Sequence, residues 1–102
     1  FGIGVDSNQN YLHPGSVLTS MLKRVDVAVT TAFKEAGDDA TFKPGITALG
    51  LAQNGVGYAL DDNNKALITD DIKTAVDAFS AKIQSGEITV HDYTADNTCP
   101  GV

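Results

Sequence analysis

Apolar and polar positions change their spacing several times along this chain, and each change marks an element. Phe1 to Val5 alternates apolar residues with glycine and then meets Asp6-Ser7-Asn8-Gln9-Asn10, which predicts a short buried strand feeding a polar loop. Pro14-Gly15-Ser16 supplies helix-start chemistry. Val17, Leu18, Met21, Leu22, Val25, Ala28, Val29, Ala32, Phe33 and Ala36 recur at three- and four-residue steps, predicting one amphipathic helix closed by Gly37. A polar link, Asp38 to Gly45, leads to Ile46–Leu60, where Asn54-Gly55 splits an apolar segment. That dipeptide predicts a hairpin of two antiparallel strands, because both central residues of the favoured turn need positive φ.

Asp61-Asp62-Asn63-Asn64 makes the next turn, followed by the short apolar stretch Ala66 to Ile68. Thr69-Asp70-Asp71 then places a capping oxygen and two carboxylates where a helix N-terminus favours negative charge. Ile72, Val76, Phe79 and Ile83 form the apolar stripe of this second helix, and Gly86 closes it. Glu87 to Val90 is expected as a last short strand. Residues 91–102 are expected to be an irregular tail after a unit spanning 1–90.

Composition narrows the function classes. With 102 residues the chain fits one domain, and 42% hydrophobic with 20% charged residues is ordinary globular composition. The net charge of -6 and the scatter of the basic residues argue against nucleic acid as a partner. No apolar run approaches the roughly 20 residues that span a bilayer. The start at Phe1, directly on a strand, is expected of a portion of something longer. Cys99 is the only cysteine and has no internal disulfide partner.

Several patterns carry candidate chemistry. Gly2-x-Gly4 begins a dinucleotide fingerprint, but Ser7 stands where its third glycine belongs, and close strand packing explains the small residues instead. Ser20-x-x-Lys23 has the spacing of a serine nucleophile with a lysine one helical turn away. Its companion motifs are missing, with Lys43-Pro44-Gly45 only a partial echo, so a solvated helix face is the alternative for both residues. His13 and His91 have no ligand-spaced Cys or carboxylate beside them, which argues against zinc. Asp61 to Asn64 lacks the ligand order of a calcium loop and reads as a turn. No metal and no cofactor are expected. Asp6, immediately after an apolar strand, occupies the edge where open α/β sheets bind ligands, and a carboxylate there can accept from two sugar hydroxyls. Capping of its own loop is the equal alternative.

The run Gly4-Val5-Asp6-Ser7-Asn8-Gln9, continued by Val17-Leu18-Thr19-Ser20-Met21-Leu22-Lys23-Arg24-Val25-Asp26-Val27-Ala28-Val29, resembles the C-terminal part of the basic membrane lipoprotein family. Leu49-Gly50-Leu51 with Gly55-Val56-Gly57, and Lys82-Ile83-Gln84-Ser85-Gly86-Glu87-Ile88-Thr89-Val90, extend the resemblance to about Val90. The family comprises substrate-binding proteins of ABC importers, and characterised members bind purine nucleosides. The resemblance implies an α/β fold: a fragment of the two-lobed type I periplasmic-binding-protein fold, with a partly parallel sheet, two main helices and a hairpin. It implies a non-enzymatic protein.

By the same resemblance Asp6 and Lys23 contact the ribose, with Lys23 on a helix face turned to the cleft. Asn8 stands where the family more often has aspartate. The implied partners are a nucleoside, an ABC permease and the N-terminal part of the same protein, which would supply the base-stacking aromatics. The implied location is the periplasm or the outer face of the cytoplasmic membrane, with a lipid anchor on a cysteine other than Cys99. The first strand and helix are expected in one lobe, with the hairpin and last helix crossing to the other. A sensory or regulatory ligand-binding domain of the same fold is the alternative function. Catalysis by Ser20 ranks behind both.

Overall fold

The computed structural model describes residues 1–37 and 44–100. Its element order is β1 (Gly2–Gly4), a short 3-10 turn (Asn10–Leu12), β2 (Val17–Lys23), α1 (Val25–Ala36), β3 (Val56–Tyr58), α2 (Asp70–Ser85) and α3 (Tyr93–Asp96). The fold is α/β, around a mixed three-stranded sheet in the order β1-β2-β3. β1 runs parallel to β2, with Ile3 opposite Thr19 and Gly4 opposite Ser20. β3 runs antiparallel to the C-terminal half of β2, with Met21 opposite Tyr58 and Lys23 opposite Val56. β2 is therefore the centre of the sheet.

That placement corrects the expectation of one helix from Val17 to Ala36. The first third of that segment is strand, and the helix begins only at Val25. A central strand takes apolar residues on both faces, so Val17-Leu18 and Met21-Leu22 fit it as well as they fit a helical stripe. Hydrogen-bonding partners on both edges then decide the matter in favour of the strand.

The hairpin expectation is corrected as well. Asn54 does adopt the left-handed conformation, at φ 56°, but residues 46–50 form no strand. The Asn54-Gly55 corner instead closes a turn in which the Asn54 amide donates to the Leu51 carbonyl and Gly55 to Gly50. A Cβ at position 55 would run into the Leu49 backbone, so the corner needs glycine for close approach. β3 leaves this corner and pairs with the open edge of β2. The polar link at 38–43 lies outside the described residues.

α2 forms as its sequence signals direct. The Thr69 hydroxyl accepts from the Ile72 amide, Asp70 and Asp71 occupy the first turn, and Gly86 closes the helix at φ 79°. No strand follows. The Ile88 amide donates to the Lys82 carbonyl, so residues 87–90 cap the helix end rather than joining the sheet. α3 occupies four residues of the stretch expected to be irregular, with Asp92 accepting from the Thr94 amide at its start.

Little of the apolar surface is covered. Among the described residues Ala59 is the only buried hydrophobic one, and neither α1 nor α2 has a buried residue. Phe33 and Phe79 are 77% and 60% exposed. The accessible surface is 7693 Å², against about 5,500 Å² for a self-contained protein of this mass. The radius of gyration is 16.4 Å, against about 13 Å for a compact domain of this length.

Candidate functional site

Parallel pairing of β1 and β2 sends their C-terminal ends to one edge of the sheet, the edge at which α/β folds hold ligands. Asp6 follows β1 by two residues and Lys23 ends β2. The Lys23 amide donates to the Asp6 carbonyl at 2.9 Å, continuing the contact between the two strands beyond the ladder. At the side chains, Lys23 Nζ stands 3.2 Å from Asp6 Oδ1. The two residues singled out in the sequence thus meet.

The side chains of Lys23 and Asp6 are 60% and 65% exposed, so each keeps open valences. The carboxylate offers a second oxygen as acceptor, and the ammonium further donors. Among the described residues no backbone amide donates to the Asp6 carboxylate, and its partner is the Lys23 ammonium. Asp6 itself sits at φ 73°, a left-handed conformation that aspartate and asparagine tolerate better than most residues. Lys23 lies at a strand end, not on the helix face expected for it.

A buried polar platform lies under the Asp6 loop. Ser20 and Asn10 are both fully buried. The Ser20 hydroxyl donates to Asn10 Oδ1 at 2.8 Å and accepts from the Gln9 amide at 3.0 Å. Across the loop, Asn8 and Asn10 side-chain amides both donate to Asp61 Oδ2, at 2.6 and 3.1 Å. Asn64, also fully buried, accepts from the Asp61 amide and donates to the carbonyls of Leu18 and Ala59. No buried side-chain polar atom among the described residues lacks a partner.

This platform went unnoticed in the sequence, where Asp61 to Asn64 reads only as a turn. The turn is real: the Asp61 carboxylate also accepts from the Asn63 backbone and side-chain amides. Donation by the Asn8 amide, with the Asn63 backbone N–H, holds the Asp61 carboxyl below its ordinary value. Two asparagine-rich turns, at 8–10 and 61–64, were the available signal.

Ser20 and Lys23 do not cooperate as nucleophile and base. The pattern requires a helix, whereas residues three apart on β2 point to opposite faces of the sheet. The Ser20 hydroxyl is buried and committed to Gln9 and Asn10, while Lys23 reaches Asp6. Gly4 is held to glycine by this packing, since a Cβ there would lie 2.5 Å from Ser20 Oγ; around Gly2 there is open space. Beside the site, Arg24 donates twice to the Asp26 carboxylate, at 2.9 and 2.7 Å. The Arg24 hydrogen bonds lower the Asp26 carboxyl to about 2. A separate depression between α1 and residues 47–49 is lined by Ala28, Thr31, Ala32, Glu35, Thr47 and Leu49. Neither Asp6 nor Lys23 contributes to its wall.

Comparison with known proteins gives this edge a context. The family model for ABC transporter substrate-binding proteins of the PnrA-like type matches residues 1–94. Basic membrane protein A of Borreliella afzelii is 32% identical over 89 residues, covering 86% of this chain and 26% of that protein. An uncharacterised lipoprotein of Pyrococcus abyssi is 48% identical over 56 residues, covering 55% of this chain and 14% of its own length. The crystal structure of an ABC transporter solute-binding protein from Aeropyrum pernix superimposes with a TM-score of 0.65 at 28% identity, covering 92% of this chain and 34% of that one. The chain therefore spans between about a seventh and a third of the relatives it matches. With the model matched from the first strand through α2 and the same fold in a solved solute-binding protein, the chain belongs to the PnrA-like family of ABC transporter substrate-binding proteins.

Proposed function

We propose that these residues form one wall of the ligand cleft in an extracytoplasmic, lipid-anchored solute-binding protein that delivers purine nucleosides to an ABC permease. The Asp6–Lys23 pair at the C-terminal edge of β1 and β2 is the observation that carries this reading. A ribose offers vicinal hydroxyls that donate to a carboxylate and lone pairs that accept from an ammonium. A ligand entering this edge replaces water on two exposed charged groups without first breaking a buried network. The lipoprotein names of related proteins support the location.

The uncovered faces of α1 and α2 support a second part of the reading. Val29 and Phe33 on α1, and Ile72, Val76 and Phe79 on α2, are apolar and accessible. Together with the excess surface of the whole chain, they fit a piece packed against the remaining, N-terminal part of the same protein. That part would bring the groups that hold the base and would close on the ligand by hinge motion. Calorimetric titration of the full-length protein with inosine, guanosine and adenosine tests the proposal. At least one should bind and release heat saturably; absence of binding by all three overturns it.

A further inference from the structure

Asp61 has more hydrogen bonds than a turn requires. Its Oδ1 accepts from the Asn63 backbone and side chain, at 2.7 and 3.0 Å, and this alone completes the turn. Its Oδ2 is directed to another segment altogether, accepting from Asn8 at 2.6 Å and Asn10 at 3.1 Å. The donors that meet this carboxylate are all neutral amides, and Lys65, the cation of the same turn, is paired with Asp62 at 2.7 Å. A carboxylate can accept at both oxygens from several donors at once, which no neutral side chain of that size can do.

The turn is itself fixed. Asn64 ties it to the carbonyls of Leu18 and Ala59, on the central strand and just past β3. The Asp6 loop meanwhile has to hold a left-handed residue, at φ 73°, between two anchors. One anchor is the Lys23 amide on the Asp6 carbonyl. The other is the Asn8–Asn10 segment on Asp61 and Ser20. Aspartate tolerates this region of φ, and the two anchors fix it there.

We propose that Asp61 is the positioning residue of the site: through Asn8 and Asn10 it locks the loop that presents the Asp6 carboxylate to ligand. This rests on the reading of Asp6 as a ligand contact. Asp61→Asn keeps the shape but has one acceptor oxygen in place of two, so either the Asn8 and Asn10 donors or the Asn63 donors lose their acceptor and the lock between loop and turn loosens. Asn8→Asp combined with Asp61→Asn exchanges donor and acceptor and restores the Asn8 half of it.

The experiment uses the full-length protein, with amide hydrogen exchange followed without ligand and inosine titrated by calorimetry. In Asp61→Asn the Gln9 and Asn10 amides should exchange roughly ten- to a hundredfold faster, while α2 amides keep their protection. Inosine affinity should fall by at least about tenfold, because only the fraction with an ordered loop binds. The double variant should recover part of both effects. Unchanged loop exchange, uniform acceleration that includes α2, or faster loop exchange with unchanged inosine affinity each overturns the proposal. Failure of the wild-type protein to bind inosine, guanosine or adenosine refutes the nucleoside reading instead, and the loop exchange then decides whether Asp61 locks the loop.

Discussion

Asp6 combines two demands that few side chains meet together: a left-handed backbone and a carboxylate at the mouth of the sheet edge. Asparagine shares the first and lacks the charge, so Asp6→Asn isolates the carboxylate. It should weaken nucleoside binding by about 1.5 to 3 kcal/mol, as for a hydrogen bond to a charged group. Asp6→Ala should also destabilise the loop by about 1 kcal/mol through its backbone. Ser20→Ala, which strips a buried hydroxyl from Gln9 and Asn10, should cost about 1 to 3 kcal/mol in denaturant unfolding of the full-length protein. Asp26, held down by Arg24, should titrate near 2 in an NMR titration, and upward toward its ordinary 3.8 in Arg24→Ala. Its folded value is depressed, so its contribution to stability is present above about 3.8 and is lost as pH falls toward 2. Asp6 was marked in the sequence by its position after a strand and by the family motif, whereas Lys23 was marked by the motif alone and expected on a helix; only strand pairing brings the two side chains together. Asn8, Asn10 and Asp61 were not legible, because their roles depend on partners some fifty positions away, which local turn chemistry cannot reveal.

At the scale of elements, α2 and β2 show where local signals suffice and where they fail. α2 carries its own start and stop, and the structure follows them from Thr69 to Gly86. Removing the start should matter: in the full-length protein Thr69→Ala is expected to lower stability by about 1 kcal/mol, measured by the shift of the unfolding midpoint in urea. β2 carries no such punctuation. Its apolar pairs suit either period, and pairing with β1 on one edge and β3 on the other makes it a strand. The same competition removed the expected hairpin, since β3 found its partner in β2 rather than in residues 46–53. Gly4→Ala tests the closeness of β1 to β2. Its Cβ would press on Ser20 Oγ, and the overpacking should cost about 1 to 3 kcal/mol in the same unfolding measurement.

For the whole molecule, composition is that of an ordinary globular domain, yet among the described residues Ala59 is the only buried hydrophobic one. The amphipathic stripes of α1 and α2 contain no buried residue, and Phe33 and Phe79 on them stay largely exposed. Amphipathicity reports that a face wants covering, but not which chain covers it, so this outcome was not readable from periodicity. Produced alone, these 102 residues should bind ANS strongly and unfold without a sharp transition, whereas a cooperative melt with no ANS signal would contradict the packing account. The central claim, that the Asp6 carboxylate reads ribose hydroxyls, is tested most directly by a four-way calorimetric cycle on the full-length protein. Wild type and Asp6→Asn are each titrated with inosine and with its analogue lacking the vicinal 2′ and 3′ hydroxyls. The account predicts that wild type prefers inosine by roughly tenfold or more and that Asp6→Asn loses most of that preference. A preference of the same size in both proteins would contradict it.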